Sequence, residues 1–494
     1  MPQGTIIRLH YRSILSSTGL IVSLAGGIML IPLLCVPFYP GEGKVVSAFL
    51  IPAALQVVIG LAAWRWFGRG SAPRVPLSFK DAGVIVLLSW IVVCLFSAWP
   101  FQTAAGFDFT RALFESVSGW TTTGLSVTDV TKVGPALLLW RSTMQLAGGA
   151  GLAIIMLSAI TGFSLSAISS AEGRSEQLAP HVRRSAKLVL IIYAGYVSVG
   201  VIAYKLAGMN VFDAVNHAFA ALSTGGFSTR PESIGYWDST AIEAVTLPLM
   251  ILGNMSFITG WLLIRGKLIY VARNAEVRLM AILLPLSAGL VLIFTSAGLY
   301  STLAKSVRVA LFETMTALTT TGFSTVSYSN WNGFGWFILI VLMLVGGGTC
   351  STAGGIKQYR IYTLLKALVW EIRNQFLPRR AVVENYVWSG EQKVYFGSDS
   401  IQRISLFIVL YLATYLVGVG ILTAHGYSLQ ESLFEYASAV GTVGLSVGVT
   451  SYTAPGVVLW AETFGMFLGR LEFMVVFVSL VKVVKDLPAL FSSK

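Results

Sequence analysis

Charge is scarce in this chain. Of 494 residues only 11% are Asp, Glu, Lys or Arg, 55% are hydrophobic, and the mean hydropathy is +0.75. A soluble domain carries roughly 25–35% charge on its surface, so the composition excludes a water-soluble protein and points to a polytopic membrane protein. Cysteine is rarer still: Cys35, Cys94 and Cys350 stand in apolar or glycine-rich segments without C-x-x-C spacing, which argues against a disulfide framework and a zinc site. The four histidines are scattered, and no glycine-rich phosphate loop of the G-x-x-x-x-G-K-S/T kind occurs. The apolar segments hold no paired carboxylates, histidine cluster or Ser/His arrangement, so an intramembrane enzyme would lack its catalytic group. The net charge of +12 would suggest nucleic acid for a soluble chain. In a bilayer protein it reflects Lys and Arg collected on cytoplasmic loops.

What is present in quantity is apolar sequence. A bilayer core needs about 20 apolar residues per helix, and ten segments qualify: 13–37, 46–67, 82–104, 135–163, 187–208, 241–264, 279–300, 334–366 with an interruption, 404–425 and 455–481. The first is too long, and too soon followed by the second, for a cleaved signal peptide. With alternating helices, the basic groups Arg8 and Arg12, Arg65 to Lys80, Arg174 to Lys187, Arg265 to Arg278 and Arg373 to Arg403 fall on one side, joined by Lys482 and Lys485. The positive-inside rule makes that side, and both termini, cytoplasmic. The longest polar stretch, 366–403, lies there too.

The gaps between these segments carry a fourfold repeat. LFESVSGWTTTGLS (113–126), VNHAFAALSTGGFS (215–228), LFETMTALTTTGFS (311–324) and LFEYASAVGTVGLS (433–446) align without a gap, with Gly124, Gly226, Gly322 and Gly444 in one column. Five residues before the blocks stand Asp108, Asn210, Ser306 and Ser428, all good helix N-caps. Each unit therefore reads cap, short helix, glycine loop, and all four loops enter from the outside. One chain can close a ring from its own four copies.

The loop chemistry suits the desolvation of a cation. Thr442-Val443-Gly444-Leu445 is close to the TVGYG filter of potassium channels, where four loops point backbone carbonyls at the ion. Its counterparts are Thr122-Thr123-Gly124-Leu125, Thr224-Gly225-Gly226-Phe227 and Thr320-Thr321-Gly322-Phe323. These sixteen residues are the candidate filter, with potassium as the candidate metal ion bound there. No Asp or Glu lies in the loops, which argues against a carboxylate ring. Glu115, Glu313 and Glu435, with His217 as the fourth member, stand nine residues before the glycines and are read as acceptors that hold the loops.

The eighth apolar segment contains Gly346, Gly347, Gly348, Thr349, Cys350, Ser351, Thr352, Ala353, Gly354 and Gly355. Each Gly costs a helix about 1 kcal/mol relative to Ala, so a break is expected near mid-membrane, where irregular backbone must face protein or a water-filled cavity. A plug beneath the candidate filter fits that position. Arg470, in the tenth segment, costs about 2.5–3.5 kcal/mol at a bilayer centre and should face a cavity or a partner. A structural ion pair with Glu462 or another carboxylate is the other reading.

The four repeats, one filter glycine in each and two extra N-terminal helices resemble the Trk/Ktr/HKT superfamily of potassium transporters over essentially the whole chain. The fourth loop, GTVGLS, looks closer to the Ktr-type branch. The resemblance implies an all-α polytopic membrane protein with two N-terminal helices (1–80) and repeats at 81–172, 173–272, 273–390 and 391–494. It implies potassium uptake through a channel-like pore in the inner membrane, with no cofactor in this chain. It also implies gating by the 346–355 loop with Arg470 below the filter, a homodimer, and cytoplasmic nucleotide-binding regulatory subunits of the TrkA/KtrA type, for which 172–187 and 366–403 are available surfaces. The alternatives are a secondary cation or solute symporter, which would typically show two inverted halves, and a sodium-permeable member of the same superfamily.

Overall fold

The computed structural model describes residues 3–68, 77–150, 182–378 and 384–491. It is all-helical apart from one short ribbon, Tyr386–Ser389 paired antiparallel with Gln392–Tyr395. Among the described residues six helices are long and apolar enough to cross a membrane, or seven if one bent pair is counted as a single span. Residues 151–163 of the fourth apolar segment, and Arg69, Arg74, Arg174, Arg379 and Arg380 of the basic groups, lie outside the described residues. So do residues 172–181 of the first candidate docking surface.

The two N-terminal helices, Gln3–Ile28 and Val46–Gly68, pack closely because small residues meet at their crossing. A Cβ on Gly19 would stand 2.6 Å from the Gly60 carbonyl, and one on Gly60 would stand 2.6 Å from the Ser23 amide. Close backbone approach through small residues is the usual substitute, in lipid, for a hydrophobic drive between helices. This pair leans on Phe79–Ser97, whose start is fixed by a capping box between Ser78 and Asp81.

Four times thereafter a longer helix is followed by a short helix, a loop and a second long element. The short helices are Phe109–Trp120, Val211–Leu222, Leu303–Leu318 and Leu429–Val440. Asp108, Asn210 and Ser428 cap theirs as expected, each accepting from the amide three residues on. Ser306 does not. The third short helix starts a turn earlier under Thr302, and Ser306 is buried within it, donating to the Ser296 carbonyl at 3.0 Å. Both residues are competent caps; the buried partner for Ser306 decides between them.

The elements after the short helices depart from simple spans in three places. The expected break after Val345 is there: Gly333–Val345 and Gln358–Gln375 are separate helices. The sixth segment, expected as one helix, is instead Thr240–Asn254 and Phe257–Ile264 bent by 119°. The tenth, also expected unbroken, is divided at Glu472, which sits at φ +63° between Gly456–Leu471 and Phe473–Phe491. The bend at Asn254 frees backbone carbonyls that partners from elsewhere in the chain take up, and the break at Glu472 is held by a side-chain ion pair. The Gly253 carbonyl accepts from the Thr352 amide and the Asn254 carbonyl from the Gly348 amide, each at 3.2 Å, while Glu472 binds Arg360 at 2.6 Å. Among the described residues of the stretch 366–403, the helix runs on to Gln375, the ribbon follows, and Ser398–Ala424 begins before 404.

Candidate functional site

Each short helix ends in the same unusual way. The amides of Thr122, Thr224, Thr320 and Thr442 bond back three residues at 3.1–3.2 Å, and those of Thr123, Gly225, Thr321 and Val443 bond back five at 2.8–2.9 Å. This is a Schellman termination, whose left-handed residue is usually glycine. Here it is a threonine in all four, at φ +57°, +50°, +52° and +49°. A β-branched residue in that region costs about 1–3 kcal/mol and persists only where its surroundings hold it there. Two residues on, Gly124, Gly226, Gly322 and Gly444 are left-handed again, at φ +89°, +73°, +83° and +97°.

The four loops close on one another. A Cβ added to Gly124 would strike the carbonyl of Gly225, one on Gly226 that of Thr321, one on Gly322 that of Val443, and one on Gly444 that of Thr123. First loop meets second, second third, third fourth, and fourth first, so the loops form one ring with matching contacts at every joint. Neither the torsion nor the space at these glycines admits a side chain. Among the described residues, the carbonyls of Thr123, Thr321 and Val443 accept from no N–H or hydroxyl, although these residues are fully buried. Such a set of backbone oxygens can replace water around a cation.

The expected acceptors brace the loops from behind. Glu115 accepts from the Ser126 hydroxyl at 2.9 Å and the Val127 amide at 3.1 Å. Glu313 accepts from the Thr325 amide at 2.8 Å and hydroxyl at 2.7 Å, and from the Tyr328 hydroxyl. Glu435 accepts from the Ser446 hydroxyl at 2.6 Å and the Val447 and Thr450 amides at 2.9 Å. The fourth member, His217, meets the Ser228 hydroxyl at 2.9 Å through Nε2 and the Asp213 carbonyl at 2.8 Å through Nδ1. All four are fully buried.

Two further residues were not singled out from sequence, Arg141 and Gln145 on the helix Pro135–Gly149. Arg141 binds Glu115 at 2.7 Å, the Ser126 hydroxyl at 2.8 Å and the Ser228 carbonyl at 3.2 Å, and lies over the Phe227 ring, so it ties the first loop to the second. Gln145 reaches Gly225 and Phe227. The available signal was a charge and an amide inside an otherwise apolar span.

On one side of the ring opens a cavity of about 770 Å³, lined by the four glycines and by Ser126, Ser228, Ser324 and Ser446. On the other side lies the 346–355 loop, in contact with three of the four left-handed threonines. The Gly354 amide donates to the Thr320 hydroxyl at 2.8 Å, Thr224 and Thr352 hydroxyls are 3.1 Å apart, and a Cβ on Gly354 would strike the Thr442 hydroxyl. Within the loop, the Gly347 amide bonds the Gly354 carbonyl at 3.1 Å and the Ser351 hydroxyl bonds the Gly348 carbonyl at 2.6 Å. Thr349 is held through its amide by Glu276 at 2.5 Å, and Cys350 is left-handed at φ +55°. Gly346 and Gly355 are left-handed too, and Lys357 reaches back to the Ala353 carbonyl at 2.7 Å.

Arg470 joins this loop directly. It donates to the carbonyls of Thr352 and Gly148, both at 2.6 Å. The alternative partner, Glu462, instead accepts from the Thr450 hydroxyl at 3.1 Å.

A helical membrane protein whose four loops form a ring of backbone oxygens above an intramembrane loop falls in the class of pore-loop cation transport proteins. The chain belongs to the TrkH family, described as cation transport protein, whose model matches residues 49–488. It is 31% identical over 490 residues to the Trk system potassium uptake protein TrkH of Halomonas elongata, covering 95% of this chain and 98% of that one. It is 29% identical over 471 residues to an uncharacterized cation transporter of Methanocaldococcus jannaschii, covering 94% of each. The crystal structure of the potassium transporter TrkH from Vibrio parahaemolyticus superposes with a TM-score of 0.81 at 26% identity, over 95% of this chain and 98% of that one. The chain is thus a multi-pass membrane transporter and not an enzyme.

Proposed function

We propose that the chain is the ion-translocating subunit of a Trk-type potassium uptake system. The residues 122–125, 224–227, 320–323 and 442–445 serve as its selectivity filter and the 346–355 loop with Arg470 as its gate. The observation that carries this reading is the closed ring, in which each glycine stands against a carbonyl of the next loop. The short helices end at the ring, so their partially negative C-termini favour a cation there. Potassium sheds its water for the ring's oxygens, and the loop beneath blocks further passage until it moves. The guanidinium of Arg470 adds an electrostatic barrier on the same side.

Relatives named as parts of a Trk system support a multi-component assembly. Its finer form in this reading is a homodimer in the inner membrane, with both termini cytoplasmic and nucleotide-binding regulatory subunits docked below. The test is rubidium uptake down its gradient into liposomes holding the purified protein. Uptake that excludes sodium and needs no second solute is expected. Uptake that requires a second solute gradient would favour a symporter, and equal entry of sodium a sodium-permeable pore.

A further inference from the structure

The ring is fourfold, but one joint is built differently. The residue before the filter glycine is Thr123, Thr321 or Val443 in three loops and Gly225 in the second. A Cβ on Gly225 would meet the side-chain amide of Gln145, so that amide fills the space where the other loops carry a side chain. Gln145 is fully buried, donates from Nε2 to the Gly225 carbonyl at 2.5 Å, and accepts at Oε1 from the Phe227 amide at 3.2 Å. The Phe227 N–H can only donate, which fixes the orientation of the side-chain amide. The Gly225 carbonyl is the one that stands against Gly124 in the ring.

Gln145 is itself the odd member of a column. The elements after the four loops read Gln145-Leu146-Ala147-Gly148, Met250-Ile251-Leu252-Gly253, Met343-Leu344-Val345-Gly346 and Met466-Phe467-Leu468-Gly469. A Cβ on Gly148, Gly253 or Gly469 would meet the carbonyl of the last residue of its own short helix, Trp120, Leu222 or Val440. That shared contact puts three of the four in register. The three methionines are fully buried, and each shares an apolar cluster with the residue after the next loop's glycine: Met250 with Phe323, Met343 with Leu445, Met466 with Leu125. In the same direction round the ring, Gln145 reaches the second loop, and it hydrogen-bonds that loop where each methionine shares only an apolar cluster with its own.

We infer that Gln145 is a positioning residue that sets ion discrimination at the second loop, an inference that rests on the four loops being the filter. Gly225 brings more backbone freedom than Thr or Val at the corresponding positions, and the bracket across Gly225 and Phe227 removes it. The same bond draws on one of the four ring carbonyls, so that oxygen does not face an ion on the same terms as its three counterparts. Glycine at 225 and glutamine at 145 are therefore a matched pair, standing where the third loop has Thr321 and, from the repeat before it, Met250.

The experiment compares rubidium and sodium uptake by liposomes holding wild type, Gln145→Met, Gly225→Thr and the double variant. Gln145→Met should lower the rubidium-to-sodium ratio about tenfold, the scale of one buried hydrogen bond lost from the ring. Gly225→Thr alone should lose most flux, because its side chain meets Gln145. The double variant should recover much of both flux and ratio, since it installs at the second loop the threonine and methionine that stand at the third. A Gln145→Met protein as selective as a selective wild type, or a double variant no better than Gly225→Thr or unable to fold, overturns the inference. A wild type that admits both ions alike overturns the filter reading and this inference with it.

Discussion

The guanidinium of Arg470 donates to the Thr352 carbonyl at 2.6 Å, and through its other terminal nitrogen to the Gly148 carbonyl at the same distance. One side chain of the fourth repeat thus holds the intramembrane loop of the third against the inner helix of the first. The loop is also tied to the bend at Asn254, whose side-chain oxygen accepts from the Gly348 amide at 3.1 Å. What lies under the ring is therefore latched from several elements, and each latch can be cut.

Arg470→Ala should raise rubidium uptake. Hydrogen bonds from a charged donor contribute about 1.5–3 kcal/mol each, so losing the bond to Thr352 shifts the loop roughly tenfold or more toward release, and the positive charge goes as well. Arg470→Lys keeps the charge without the planar fork, so uptake should fall between Ala and wild type. A thermal unfolding series checks that both variants stay folded; unchanged uptake by folded Arg470→Ala would remove the residue from the gate.

Deleting residues 347–354 should speed uptake, without need of the regulatory subunits proposed above. The cut ends are already neighbours: a Cβ on Gly346 would stand 2.6 Å from the Gly355 Cα, so the flanking helices need not move to be rejoined. Initial rates in liposomes decide the matter, and a folded deletion no faster than wild type would show that the loop is not limiting.

Gly124→Ser should lower the potassium-to-sodium ratio. The serine meets a left-handed torsion of φ +89° and displaces the Gly225 carbonyl. Strain of about 1–3 kcal/mol at one joint corresponds to a loss on the order of tenfold, read from competition between rubidium and sodium. An unaltered ratio in a folded protein would count against the ring as filter.

Arg141→Ala should destabilise the protein by about 3–5 kcal/mol, the usual cost of leaving one member of a buried ion pair alone. Arg141 and Glu115 are 3% and 0% exposed, so water cannot replace the lost partner. Adding Glu115→Gln should recover part of the loss, because a neutral amide tolerates the site better than a lone carboxylate. A double-mutant cycle on thermal stability measures the coupling; strictly additive losses would mean that the pair is not coupled.

The legible parts of this molecule are those whose causes lie close together in the chain. The ring glycines, three of the four caps and the acidic column sit within one repeat, so local spacing revealed them, and the 346–355 break announced itself through five glycines. Arg470 stood out because a charge inside an apolar span is costly. The bend at Asn254 and the break at Glu472 were hidden because their partners, Gly348 and Arg360, are about a hundred residues away. Gln145 was hidden for the same reason, since it answers a glycine in another repeat. Ser306 misled because a residue able to cap a helix can equally sit inside one when a neighbouring carbonyl accepts its hydroxyl.

Since the four joints of the ring are written at four separate places in one reading frame, a single base change alters one quadrant and leaves three intact. A homotetramer has no such option, because any substitution there strikes every subunit at once. On the proposed reading of the ring as filter, discrimination between ions can therefore be adjusted here in quarter steps, and one quadrant can carry a pairing of its own, as the second does with glycine and glutamine, while the other three stay as they are.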